Sequence, residues 1–219
     1  PENTYSGVLD IYAGYVDAQI KPNDKWLFVP GARVESFSQM VNYNVTTLGT
    51  GALGAVESKE TFFLPSLNIK YSLTDDMNLR FSGSKTVSTP EFKEVAPFVY
   101  EDVTTSIGGN PDVIGFSKIL NLDLKYEWFF SRSELFSVSV FNKVINDPIN
   151  LVVANDATGT QRSARTGDKA TIYGIELEAR KNILSNENDD SILTAGANIT
   201  YMKTEQDLYA QIPGSISSF

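Results

Sequence analysis

The sequence predicts an all-β chain built as an antiparallel, up-and-down transmembrane β-barrel. Three observations predict it. Apolar and polar residues alternate with a period of two through about eight segments. Short and long connections take turns between those segments. Aromatic residues gather near the segment ends.

The clearest segment is Ile119 to Phe130. Leu120, Leu122, Leu124, Tyr126, Trp128 and Phe130 share one parity, and Asn121, Asp123, Lys125 and Glu127 share the other. A strand turns successive side chains to opposite faces, so this is a ribbon with one apolar and one charged face. Helical spacing would smear both kinds around the circumference.

In chain order, Tyr5 to Ile20 is a first strand with Tyr5, Leu9, Ile11, Ala13 and Tyr15 on one face; its parity shifts near Val16, which predicts a bulge or a strand end. Lys21 to Lys25 is a polar turn. Trp26 to Asn44 is the second strand, with Trp26, Phe28, Ala32 and Val34 opposite Arg33 and Glu35. Thr46 to Glu60, carrying Gly49, Gly51 and Gly54, is expected to be a flexible loop. The third strand runs from about Phe62 to Leu73 and the fourth from Met77 to Val87, joined by Thr74 to Asp76. Ser88 to Lys118 is a very long connection. A structureless stretch of that size argues against a compact soluble domain, but it suits the outer side of a barrel. After the Ile119 strand and a turn at Ser131 to Ser133 come a sixth strand (Leu135 to Ile145), a long polar loop (Asn146 to Asp168), a seventh strand (Thr171 to Ile183), an acidic turn (Ser185 to Asp190) and an eighth strand (Ile192 to Glu205). Gln206 to Phe219 reads as loop.

Composition narrows the functions. The chain has no cysteine and no histidine, which removes disulfides, thiolate chemistry and the commonest general base and metal ligand. Its net charge of −9 argues against nucleic acid. No run of about eighteen uncharged apolar residues exists, which excludes a transmembrane helix but not barrel strands, whose alternation hides them from hydropathy. No signal peptide is visible.

The solvent of the apolar faces then decides the class. A sandwich would bury them against a second sheet; a barrel would give them to lipid. The regular short–long order is that of outer-membrane barrels. Tyr5, Tyr15, Trp26, Tyr71, Trp128, Tyr173 and Tyr201 near strand ends match aromatic girdles at two membrane interfaces. A charge at mid-height on a lipid face costs about 2–4 kcal/mol, so charge-free faces on many strands are informative.

Leu64-Pro-Ser-Leu-Asn-Ile-Lys-Tyr-Ser-Leu-Thr-Asp-Asp-Met-Asn-Leu-Arg80, Lys85-Thr-Val-Ser-Thr-Pro-Glu-Phe-Lys-Glu-Val-Ala-Pro-Phe98, Gly109-Asn-Pro-Asp112, and Glu134 through Ile149 together resemble the barrel of TonB-dependent outer-membrane receptors. Thr89 stands where an arginine is common in the family, and Val113 to Phe116 depart from its usual loop. The resemblance implies a barrel of about 22 strands closed by a plug, in the bacterial outer membrane. Residues 1–219 would supply about eight of those strands, with the plug and the closing strands absent from this sequence. It further implies lipid around the barrel, TonB acting through the plug, and uptake of a siderophore, cobalamin, oligosaccharide or peptide. A surface lipoprotein is a further conceivable partner. Neither enzyme activity nor a cofactor is implied.

Arg33, Glu35, Lys70, Arg80, Asp123, Lys125, Glu127, Glu176, Glu178 and Arg180 are expected to face the lumen, as a polar wall or as part of a substrate path. Glu94, Tyr100, Asn110, Phe116 and Tyr209, on long connections, are the candidate ligand contacts, beside Pro90, Pro97, Gly109 and Pro111, which also suit turn geometry. Paired catalytic carboxylates need a cleft and a raised pKa on one member, whereas Glu176 and Glu178 are i, i+2 neighbours on a wet wall and Asp75 and Asp76 lie in a tight turn. Asp189 and Asp190 lack calcium-loop spacing, so no metal site is expected. The rival readings are a self-contained eight-stranded barrel with an adhesive or structural role, and a soluble β-sandwich binding module. The many inward serine, asparagine, threonine and glycine residues suit a wide lumen better than the side-chain-filled interior of a small barrel.

Overall fold

The computed structural model describes residues 4–45, 52–101, 106–131, 133–153, 161–165, 167–186 and 191–206. Its strands are β1 (Thr4–Asp17), β2 (Ile20–Asn23), β3 (Trp26–Val45), β4 (Ala52–Ser72), β5 (Met77–Ser88), β6 (Val99–Glu101), β7 (Ser106–Gly108), β8 (Ser117–Phe129), β9 (Leu135–Asn146), β10 (Ile149–Val153), β11 (Gln161–Arg165), β12 (Lys169–Ser185) and β13 (Ser191–Gln206), with a single helical turn, α1 (Phe92–Val95). Eight long ribbons form one open antiparallel sheet in the order β1-β3-β4-β5-β8-β9-β12-β13, and β2 continues β1 alongside β3. Near Val16 there is no slip: β2 takes up the register of β1 against β3 (Asp17↔Gly31, Ile20↔Phe28), and the register shifts only between Ile20 and Asn23.

Directly opposed residues share a face, so the register sorts the sheet. On what we term the back face, Tyr71, Leu79 and Tyr126 line up across β4, β5 and β8, as do Ile69, Phe81 and Leu124. Val138 and Val140 of β9 and Leu177 and Ile175 of β12 extend these rows. The front face carries Lys70, Arg80, Lys125 and their neighbours. Leu124, Val140, Ile175 and Leu177 remain 39–45% exposed, so no second protein layer covers the back face of the described chain. The soluble sandwich is thereby set aside. At one end of the back face Trp26 stacks on Tyr71 with ring centroids 4.4 Å apart, and Trp128 lies 4.3 Å from Phe130. Tyr173 and Tyr201, on β12 and β13, share the back face, Tyr201 in the row of Leu124, Val140 and Ile175 and Tyr173 in the row of Leu122.

The structure corrects three expectations. First, Ala52 to Glu60 is strand, not loop: it pairs with β3 from Val45↔Ala52 to Phe37↔Glu60. Its glycine and charged residues hid a ribbon that has water on one side. Second, Tyr5, Leu9, Ile11, Ala13 and Tyr15 are opposite Tyr43, Gln39, Phe37, Glu35 and Arg33, and therefore lie on the front face. Third, the long connections contain structure. Residues 88–116 hold α1, β6, β7 and a 3-10 turn at Pro111–Val113; residues 146–168 hold β10 and β11. β10, β11, β7 and β6 form a small second sheet in that order.

The second correction has a physical cause. In β3 and β4 the apolar side changes faces at one height, where Val34 opposes Phe63 on the back and Glu35 opposes Phe62 on the front. Toward the short turns, the back face is apolar. Beyond the switch the back carries Ser36, Ser38, Asn42, Lys59 and Glu57, while the front carries Phe37, Val41, Phe62 and Val56. The upper ribbons have left the apolar surroundings of their lower halves, and they bury their front against the folded connection. Val41 forms one buried cluster with Val95, Ala96 and Val113. Phe37, Phe62 and Phe116 form another, with ring centroids 5.0–5.7 Å apart.

Candidate ligand-facing surface

The front face has two storeys. The lower one is a charged wall. Arg33, Glu35, Lys70, Arg80, Asp123, Lys125, Glu127, Glu176, Glu178 and Arg180 all fall on this face by register. Lys70, Arg80 and Lys125 stand directly opposite one another across β4, β5 and β8. Adjacent like charges destabilise a sheet unless anions separate them. Here they do: Arg80 Nε donates to Glu127 Oε2 at 2.7 Å, and Lys125 Nζ lies 3.7 Å from Glu178, which also takes Arg180 at 3.3 Å. Ser137 and Ser139 fill the places between these charges, so the wall is wettable but low. Leu27 and Val29 from β3 join Lys70, Arg80, Asp123 and Lys125 around a hollow of about 260 Å³.

The upper storey is a cap made by the connection from β5 to β8. It is nailed down at several points. Gln39, fully buried, donates from Nε2 to the Pro90 carbonyl at 2.9 Å. The Phe92 ring occupies the space above Gly7, where any added Cβ would lie 2.4 Å from it. Tyr5 packs on Phe98 at 5.5 Å between centroids. Gly109 passes so close to the α1 turn that a Cβ there would meet the Ala96 carbonyl oxygen at 2.0 Å.

The candidate contacts occupy distinct places in this cap. Glu94 accepts from the Glu91 N–H at 2.7 Å, closing a capping box on α1. Asn110 is 4% exposed, and its side-chain oxygen accepts from the Asp112 N–H at 3.0 Å to start the 3-10 turn. Phe116 is 6% exposed within the three-ring cluster. Pro90 and Pro97 are buried. Tyr100 is half-buried on β6, in the small sheet, and Tyr209 lies outside the described residues, as do Asp189 and Asp190. The structure therefore gives Glu94, Asn110 and Phe116 evident folding duties. The sequence reading missed Phe37, Gln39 and Phe62 as cap anchors. Phe37 and Phe62 carried a signal, since both break the polar parity of the front face; Gln39, itself polar, carried none.

On the opposite rim, the turn between β8 and β9 is held by Glu134. Its carboxylate takes Lys181 Nζ at 2.9 Å and the Asn182 N–H at 3.1 Å, and these, the lysine first, pull its pKa below the ordinary carboxylate range. Among the described residues no three carboxylate side chains converge in a metal-ligating group.

No curated protein sequence matches the chain. Solved structures do. The ferric yersiniabactin uptake receptor FyuA from Yersinia pestis matches with a TM-score of 0.66 at 17% identity, covering 94% of this chain and 29% of its own. The copper transporter OprC matches at 0.69 and 16%, over 91% and 29%. The siderophore receptor PirA from Pseudomonas aeruginosa matches at 0.57 and 14%, over 94% and 44%. The chain thus spans less than half the length of these structures, and at such identities they show the fold alone. A family model described as "TonB dependent receptor-like, beta-barrel" matches residues 1–216. The antiparallel ribbons, the face-switching strands and the family match agree: this chain belongs to the TonB-dependent receptor β-barrel family.

Proposed function

We propose that the chain is a section of the wall of an outer-membrane receptor that imports a small nutrient when TonB acts on the domain filling its lumen. The observation that carries this reading is the two-storey front face. A hydrated, charged wall lies below, a folded cap lies above, and the opposite face stays apolar only along the lower storey. Under this reading the back face meets lipid and the front face lines the lumen, with the long connections on the outer side. Nothing in the front face assembles a nucleophile, base and cleft, so its chemistry is binding and passage rather than bond-breaking.

The eight-stranded rival is disfavoured because β1 and β13 do not pair with each other, and the sheet stays open. Among nutrients, a metal chelate of the siderophore kind is favoured over cobalamin, oligosaccharide or peptide. Of the structural neighbours named above, one is described as a ferric yersiniabactin uptake receptor, one as a siderophore receptor and one as a copper transporter. Tyr100, with Tyr209 beyond the described residues, is the contact we assign to the ligand.

The test is uptake by cells carrying the complete receptor, with radiolabelled ferric siderophores as probes. Accumulation that requires TonB and falls at least tenfold in Tyr100→Ala is expected. TonB-independent accumulation would refute active import, and an unchanged Tyr100→Ala would remove the ligand assignment.

A further inference from the structure

The ladder between β4 and β5 runs only from Ser72↔Asn78 to Ser66↔Ser84. Beyond it β4 stays paired to β3, and β5 to β8, so the wall forks. Pro65 stands at the fork; it has no N–H to extend the ladder. The opening is a crevice of about 380 Å³ whose lining includes Glu60, Phe62, Phe63, Lys85, Val87 and Lys118. Phe116 and its ring partners pack with Leu64 and Val87 at this fork and back the crevice from the front side.

The chemistry of the crevice is graded. Lys85 is exposed on the back face, opposite Leu120. Lys118 opposes Val87, and its amine turns into the fork, 3.0 Å from Glu60 Oε1 and 5.5 Å from the centre of the Phe62 ring. Two cations and one anion leave a net positive lip. Phe63, 65% exposed, stands beside it on the back face. Toward the short turns the back face is apolar: Leu120, Leu122 and Leu124 on β8, Phe81 on β5. Leu120 lines the crevice, and below it Leu122 and Leu124 are 38% and 42% exposed, so the crevice opens downward onto an apolar strip. A free anion has no use for that strip. An amphiphile with an anionic head and an alkyl tail uses both parts.

We propose that the fork between β4 and β5 is a lipid site, in which Lys85 and Lys118 hold the phosphate of a membrane amphiphile and the apolar strip of Leu120 and Leu122 takes its alkyl chain. The site rests on the reading that the back face meets the bilayer, and it is independent of what the receptor imports. Glu60 holds the Lys118 amine at the lip, above the Phe62 ring, with the lysine side chain still 54% exposed to a ligand.

The experiment uses the complete receptor in neutral detergent, with binding of dioctanoyl phosphatidic acid measured by native mass spectrometry. Dioctanoylglycerol and inorganic phosphate serve as the half-probes. Near a membrane surface each lysine contributes about 1 kcal/mol toward an anionic lipid, so Lys85→Ala and Lys118→Ala should each weaken binding about fivefold. Lys203→Ala, another back-face lysine, far along the sheet, should leave binding unchanged, and both half-probes should bind at least tenfold more weakly than the whole amphiphile. Melting temperature and ferric-siderophore uptake are recorded for every variant, so a misfolded or transport-defective receptor is told apart from a lost lipid site. Equal losses from Lys203→Ala and Lys85→Ala would reduce the effect to general surface charge and overturn the site. So would inorganic phosphate binding as well as the lipid, or a Leu122→Ser variant that makes the strip polar without weakening the lipid. Failure of the lipid-facing reading itself would appear separately, in the response of Leu124 to charge.

Discussion

Leu124→Arg probes the solvent of the back face directly. Leu124 is mid-strand in β8, directly opposite Phe81 on one side and Val140 on the other. Its side chain is 42% exposed. If that exposure is to water, a surface substitution of this kind shifts stability by no more than about 0.5 kcal/mol. If it is to hydrocarbon near the middle of the bilayer, arginine costs about 2–4 kcal/mol, a factor of roughly 30 to 900 in the folding equilibrium. The partners cannot rescue the charge, because Phe81, Val140 and the rows beyond them offer no carboxylate on that face. Ser139→Arg is the matched control: one step from Val140 on β9, it points to the front face, beside Glu176 and Lys125. The assay is reversible urea unfolding of the complete receptor refolded into phospholipid vesicles, followed by tryptophan fluorescence. The expected result is a loss of 2 kcal/mol or more for Leu124→Arg and under half that for Ser139→Arg. Equal small losses for both variants would refute the assignment of the two faces, and the import proposal with it.

The remaining expectations concern the cap, the wall and the rim. Phe116→Ala removes a ring touching both Phe37 and Phe62; large-to-small changes of this kind cost about 3–5 kcal/mol, and here the loss should appear as protease cleavage within residues 88–116 while the barrel's melting temperature holds. Gly109→Ala puts a methyl into the Ala96 carbonyl and should likewise raise cleavage of the connection, with siderophore affinity falling alongside. Arg80→Ala leaves Glu127, whose side chain is 11% exposed, without its closest cation; a double-mutant cycle with Glu127→Gln should return a coupling of about 0.5–3 kcal/mol. Glu134 has a depressed pKa, so its stabilising contribution is complete above the ordinary carboxylate range and is lost as pH falls through the lower, folded-state value. Glu134→Gln should therefore lower the receptor's stability at neutral pH and flatten the acid limb, so that the two proteins converge as the pH falls.

Much of the lower sheet was legible because its alternation has one cause. From Met77 to Phe81 and from Leu122 to Trp128, every second residue is apolar and its neighbour is not. The upper ribbons obey the same period but swap sides: beyond Val34 and Phe63 the back turns largely polar and the front packs on the cap. Period alone does not tell a reader which face is which, and that is why Leu9 and Ile11 were set on the wrong one. The cap was harder still. Its parts announce themselves weakly, as a capping box from Glu91 to Glu94 and an Asn110-Pro111 turn start, and what fixes them is contact with Gly7, Gln39, Val41 and Phe62, far away in sequence. Glu94, Asn110 and Phe116 looked special for the right reason, an unusual loop, while the contacts that show their folding duties are long-range.

The small sheet splices two separate excursions of the chain. Gln161 and Arg162 run parallel to Ile107 and Gly108, so the excursion after β9 is hydrogen-bonded to the one after β5. Anyone transplanting recognition from a related receptor onto this scaffold would have to move both as a unit. Exchanging either by itself would leave an orphaned strand edge and a graft with no seat.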